Sequence, residues 1–186
     1  MGATTDQTAV RKLYPWEIEE AKLVFADSLD YEHVRVHERA TWTDAIHRLG
    51  HFLRGKPVPD GEHNAITLGN RCFFPVSMPK EFTGPGDRLG MCWLMHELTH
   101  AWQYQHTGWL YLAKALWVQV RDGQQGYEFG GAQGLREARA KNWTLRDFNP
   151  EQQGNIAMTY WLYRRTQQPA DGLSAWEPFI AEFRNP

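Results

Sequence analysis

His96-Glu97-Leu98-Thr99-His100 sets two imidazoles and a carboxylate in an H-E-x-x-H pattern. On a helix each residue advances about 100°, so positions i and i+4 lie about 40° apart and one turn along a common face. Both histidines can then reach one zinc ion, while Glu97 stands beside them without having to coordinate it. Zinc lowers the pKa of a water it binds to about 7, and a carboxylate at that distance can take the proton and later hand it to a leaving amine. The chemistry predicted from these five residues is peptide-bond hydrolysis. A shuffled chain with the same 8 His would show the pattern only about twice in a hundred, so chance is a poor account of it.

Catalytic zinc takes three protein ligands and leaves a fourth position open, so a third ligand must come from elsewhere. Glu151 falls in the first turn of a helix expected to be buried, where a carboxylate needs a partner that a metal would supply. Stabilisation by the helix dipole is the competing account of the same residue. Asn155, one turn on, is spaced to hold an imidazole N–H. His106 completes the spacing H-E-x-x-H-x-x-G-x-x-H, but Gln103 stands where that pattern needs glycine. On a continuing helix His106 would lie about 15 Å beyond His96. Cys92, one turn before His96, reads better as a small buried hydrophobe. Glu137, among the charges of Leu135-Arg-Glu-Ala-Arg139, reads as a solvated helix face, and Asp147 and Glu128 rank below it. The transition-state oxyanion needs a second donor, for which Tyr160, Tyr163 or a histidine is available.

Two helices must hold these groups. A proline-free run from Arg88 to His106, with Asp87 to cap its start and Thr107-Gly108 to end it, predicts one long helix carrying the motif. Asn149-Pro150 predicts the start of a buried helix reaching about Gln167. Pro15 opens a further helix to about residue 28, and Thr41 to Phe52 a short one. His33-Val-Arg-Val-His37 alternates as a half-buried strand does. Ala65 to Leu68 and Arg71 to Phe74, joined by Gly69-Asn70, predict a hairpin against which an extended peptide could lie by strand addition. Lys56 to Asn64 reads as loop, Trp109 to Arg121 as an apolar helix, and the glycine-rich stretch after it as loop with a short strand at Gly126 to Phe129. The fold class expected is α+β and mainly helical, with a long active-site helix, a small antiparallel sheet and a buried C-terminal helix.

The 186 residues fit one domain, read as 13–186 behind a polar tail or linker at 1–12. Twenty Lys and Arg against 22 Asp and Glu leave a net charge of −2, which argues against nucleic acid as a partner and against a DNA-associated protease. The longest apolar stretch, Trp109 to Val120, is broken by Lys114 and Gln119, so no membrane span is expected. Met1 to Arg11 contains no apolar h-region, and export would need a route other than Sec or a larger carrier. Cys72 and Cys92 are either two buried thiols or one bridge.

Four segments together carry a family resemblance: Tyr31-Glu-His-Val-Arg-Val-His37, Ala65-Ile-Thr-Leu-Gly-Asn-Arg-Cys-Phe-Phe74, His96-Glu-Leu-Thr-His-Ala-Trp-Gln-Tyr-Gln105 and Glu151-Gln-Gln-Gly-Asn-Ile156. In that order they resemble the zincin-like metallopeptidase domains fused to, or encoded beside, VgrG-type spike proteins of type VI secretion and related contractile injection systems. The resemblance spans about residues 13 to 165. It implies that Glu151 completes a His-His-Glu zinc site of gluzincin type with His96 and His100, and that Glu97 is the general base. It also implies a toxic effector delivered on a spike, as a cis carrier, into a competing or host cell. There it would act on a peptide or protein in the target-cell periplasm, with an immunity protein as a partner. The chain departs from the family pattern at Gly154, where alanine is commoner, and after Gln167, which has no counterpart. A second reading keeps the zinc but not the catalysis: a zinc-stabilised structural or docking module of the injection particle.

Overall fold

The computed structural model describes residues 9–45, 63–81, 84, 86–110, 126–167 and 170–186. The helix expected over Thr41 to Phe52 is described only at 41–45, where 42–45 are helical, and the rest of it, most of the loop from Lys56 and nearly all of the helix expected over Trp109 to Arg121 lie outside them. Elements follow in the order β1 (Ala9–Arg11), α1 (Pro15–Phe25), β2 (Arg35–Glu38), β3 (Ile66–Leu68), β4 (Arg71–Phe73), α2 (Asp87–Thr107), α3 (Gly131–Ala140), α4 (Pro150–Thr166) and α5 (Ala170–Arg184). Among the described residues no helix is long and apolar enough to cross a membrane.

The four strands form one sheet in the order β1-β2-β4-β3. The hairpin β3–β4 is antiparallel with Thr67 opposite Cys72, and its turn relies on Gly69 at φ 64°, a conformation that glycine adopts without a Cβ penalty. The sheet is not the antiparallel one expected, because β2 pairs with β4 in parallel, Val36 opposite Cys72. Local sequence reads the hairpin but carries no signal for a pairing between strands so distant in the chain. β2 itself begins at Arg35; the residues before it, Tyr31–His33, form one 3-10 turn in which the His33 N–H donates to the Asp30 carboxylate.

The tail expected over residues 1–12 ends earlier. β1 pairs antiparallel with β2, and Arg11 binds Glu17 through both terminal nitrogens (2.7 and 2.8 Å) and Glu38 through Nε (2.7 Å). Glu17 is 1% exposed, so this fork of charge-assisted bonds is what allows a carboxylate to be buried there. α1 starts at Pro15, as expected, but stops at Phe25, where Ala26 turns to φ 49°. Gly126 to Phe129 is not a strand: one 3-10 turn at 126–127 leads into irregular chain.

The core lies between α1, α2, α4 and α5 and under the sheet, with Phe25, Leu94, Leu98, Trp161, Trp176, Phe179 and Phe183 all fully buried. α5 lies beyond Gln167 and closes the described chain. Its Phe183 packs edge-on against both Phe25 and Trp102, tying the chain's end to α1 and α2. The α4 helix expected at the C-terminus is therefore internal, and α2 and α4 share the largest helix–helix contact.

Candidate metal centre

α2 runs from Asp87 to Thr107, ends on Gly108 at φ 63°, and turns His96 and His100 toward α4. α4 is capped by Asn149, whose side chain accepts from Gln152 N (2.9 Å), with Pro150 in the first turn. On α4 the positions i+3 and i+4 from Glu151 are Gly154 and Asn155, and this face meets His96. Glu151 Oε2 lies 3.1 Å from His96 Nε2 and 3.5 Å from His100 Nε2. The three ligand atoms fall within 4.8 Å of one another, and all three residues are buried.

Amide geometry decides which ring nitrogens face the centre. Gln153 gives its NH2 to the carbonyls of Leu145 and Phe148, so its oxygen is left to accept from Gln103 Nε2 (2.9 Å). Gln103 Nε2 also reaches Pro150 O (3.0 Å), which turns Gln103 Oε1 onto His100 Nδ1 at 2.8 Å. Asn155 likewise gives its NH2 to Tyr127 O (2.9 Å) and presents Oδ1 to His96 Nδ1 at 3.0 Å. An amide oxygen only accepts, so both imidazoles carry their N–H on Nδ1. The Nε2 lone pairs of His96 and His100 then converge with a carboxylate. Such a set of acceptors requires a cation, either a proton or a metal ion, and two imidazoles with one carboxylate and fixed outer nitrogens fit zinc.

The same electrostatics set the protonation of the metal-free triad. Burial works against a charge on His100, but Glu151, Glu97 and the Gln103 bond outweigh it and push its pKa up to about 9. Burial also opposes the Glu151 carboxylate, and the histidines override it, holding its pKa well below the usual carboxylate range.

Glu97 follows His96 on α2, is 4% exposed, and accepts a 2.7 Å bond from Thr67 Oγ1 at Oε2. Sequence reasoning missed Thr67 because nothing local links strand to helix. It also read Gln103 only as a departure from a glycine pattern, although its i+3 spacing from His100 is a usable signal. At Gly154 a Cβ would stand 2.7 Å from His96 Cε1 and Nδ1, so alanine would require the ring to move. Tyr127, also unforeseen, has its ring nearly parallel to His96 at 6.1 Å. The Gly126, Tyr127 and Glu128 carbonyls are held in turn by Asn149, Asn155 and Gln152, which explains why this segment pairs with α4 side chains instead of forming a strand.

Other candidates are not brought to the triad. Tyr160 lies nine residues, and so half a turn, away from Glu151. Its hydroxyl donates to Glu177 (2.7 Å) and accepts from Arg184 (3.1 Å), and Tyr163 packs on Trp176. His106 is exposed, with Nδ1 on Trp102 O. Glu137 is exposed beside Gln133, and Asp147 caps Thr144. Cys92 and Cys72 are both free thiols, and burial pushes Cys92 up to about 11.

The chain is 29% identical, over 187 aligned positions, to the type VI secretion system spike protein VgrG2b of Pseudomonas aeruginosa, an alignment that takes in 96% of this chain. It spans only 15% of that protein's length. No family model matches the chain. No solved structure matches it.

Proposed function

We propose that this chain is a zinc-dependent peptidase domain delivered by a type VI secretion spike. The observation that carries the reading is the buried convergence of Glu151, from α4, with His96 and His100 on α2, the helix that also carries Glu97 next to His96. His96 Nε2, His100 Nε2 and a Glu151 oxygen would hold the metal, with Asn155 and Gln103 orienting the rings. Zinc, when bound, supplies Lewis acidity toward a scissile carbonyl and acidifies a water. Glu97 takes the proton of the attacking water at its carboxylate and returns it to the leaving amine. The substrate is an extended peptide segment. It lies along β3, which stands at the end of the sheet order and packs on α2, so that its main chain adds to the sheet beside Glu97.

Delivery rests on the similarity to VgrG2b and makes the chain a toxic effector domain, carried by a spike in cis and acting in the periplasm of a recipient cell, with an immunity protein in the producer. The triad's burial, with ligands 6–9% exposed, favours a second reading in which the metal only holds α2 to α4. Elemental analysis and a peptidase assay separate the two. The wild type should carry one zinc per chain and Glu151→Ala much less, while Glu97→Gln should keep its zinc and lose peptidase activity. A metal-free wild type would overturn both readings. A zinc-loaded Glu97→Gln as active as wild type would overturn the peptidase assignment.

A further inference from the structure

Glu97 is held from outside its own helix. Thr67, on β3 and 3% exposed, sends its hydroxyl to Glu97 Oε2 at 2.7 Å, with the Glu97 carbonyl farther off at 3.3 Å. A hydroxyl has one proton, so the shorter contact to the charged oxygen is the bond it makes. Behind Thr67 stands Cys72, its ladder partner on β4, fully buried and hydrogen-bonded to it side chain to side chain. Burial keeps that thiol protonated, so the Thr67 proton stays with Glu97. Among the described residues Glu97 Oε1 carries no hydrogen bond.

We infer that Thr67 is the positioning residue for Glu97: by clamping Oε2 from the sheet, it fixes the carboxylate plane and leaves Oε1 as the oxygen that exchanges a proton with water. The inference rests on the peptidase reading. It also ties the base to the strand on which the substrate is laid. A carboxylate without this clamp would sample other rotamers about its side-chain torsions, and a small misplacement of a catalytic group is enough to cost rate without costing substrate binding.

The test compares Thr67→Val, which keeps the shape and removes the hydroxyl, with Thr67→Ser, which keeps the hydroxyl. Each is read by zinc content, by turnover of fluorescein-labelled casein, and by calorimetric binding of acetohydroxamic acid to the zinc-loaded protein. The hydroxamate chelates zinc and hands a proton to the neighbouring carboxylate, so it reports the position of Glu97 without turnover. Thr67→Val should keep its zinc, lose about tenfold in kcat with KM within about twofold, and bind acetohydroxamic acid about tenfold more weakly. Thr67→Ser should recover most of both, and adding Thr67→Val to Glu97→Gln should weaken hydroxamate binding no further. If Thr67→Val does not fold, Thr67→Ala removes the same hydroxyl and is read the same way. Hydroxamate affinity equal to wild type in the Val or Ala variant overturns the inference, as does equal impairment of the Ser and Val variants, which would mean packing alone. A wild type that holds zinc and acetohydroxamic acid but cleaves no casein leaves the hydroxamate comparison to decide the clamp. One that binds neither overturns the peptidase reading and the inference together.

Discussion

Gly154 lies so close to the His96 imidazole that a Cβ on it would stand 2.7 Å from two ring atoms. The absence of that one carbon lets α4 approach α2 closely enough for Glu151, one turn earlier, to reach both histidines.

Gly154→Ala is therefore expected to separate folding from metal binding. Alanine gains about 1 kcal/mol of helix propensity, while overpacking costs about 1–3 kcal/mol and falls on His96. Thermal stability of the metal-free protein should change little, and zinc affinity measured by chelator competition should fall about tenfold or more. An unchanged affinity would mean that the His96 ring shifts freely without leaving the metal.

Gln103 joins the His100 ring to the Pro150 carbonyl and to Gln153. Gln103→Leu should cost about 10–100-fold in zinc affinity, the usual loss when a ligand's outer hydrogen bond is removed. Leaving buried polar groups unpaired should also cost about 1–3 kcal/mol of stability. Chelator competition and urea denaturation measure the two effects.

The pH dependence has a definite sign. In the metal-free protein the His100 pKa is raised from 6.5 to about 9, so its contribution to stability is full below 6.5 and is lost as pH rises through about 9. The Glu151 pKa is lowered from 4.5, so its contribution is present above 4.5 and is lost as pH falls through the folded value. The apo protein should be most stabilised by this pair between pH 4.5 and 6.5. Zinc needs His100 neutral and must displace its proton, so apparent zinc affinity should rise with pH by up to about tenfold per unit and flatten near pH 9. Calorimetry in buffers of different ionisation enthalpy would detect the released proton; zinc uptake without proton release at pH 7 would contradict the assignment.

Tyr160→Phe should leave zinc content and peptidase turnover at wild-type levels. The hydroxyl serves Glu177 and Arg184, both partly exposed, and its loss should cost about 1 kcal/mol, read as a lower Tm. A large fall in kcat with stability intact would restore Tyr160 as a candidate for the reaction.

Much of the site was legible because its signals are local. The i, i+4 spacing of His96 and His100 gives a shared face on any helix, and the proline-free run around them guarantees the helix. Gly69-Asn70 between two β-prone runs fixes the hairpin, and Asn149-Pro150 fixes where α4 begins and so puts Glu151 in its first turn. The helical period also sets Tyr160, nine residues on, half a turn from Glu151, and its hydroxyl bonds to Glu177 and Arg184.

The tertiary structure decided what depends on contact between distant segments. His96 and Glu151 are 55 residues apart, and only the packing of α4 on α2 brings their atoms to 3.1 Å. Thr67 meets Glu97 across 30 residues because β3 lies on α2, and β2 joins β4 in parallel through a connection with no local signature. The sequence by itself determined the helix, its ligand face and the carboxylate that follows it, since those require only the 3.6-residue period. The place of Glu151 beside the two histidines, the ring orientations and the Thr67–Glu97 bond come from side chains that different elements bury together, and burial against a particular neighbour is written in no single stretch of chain.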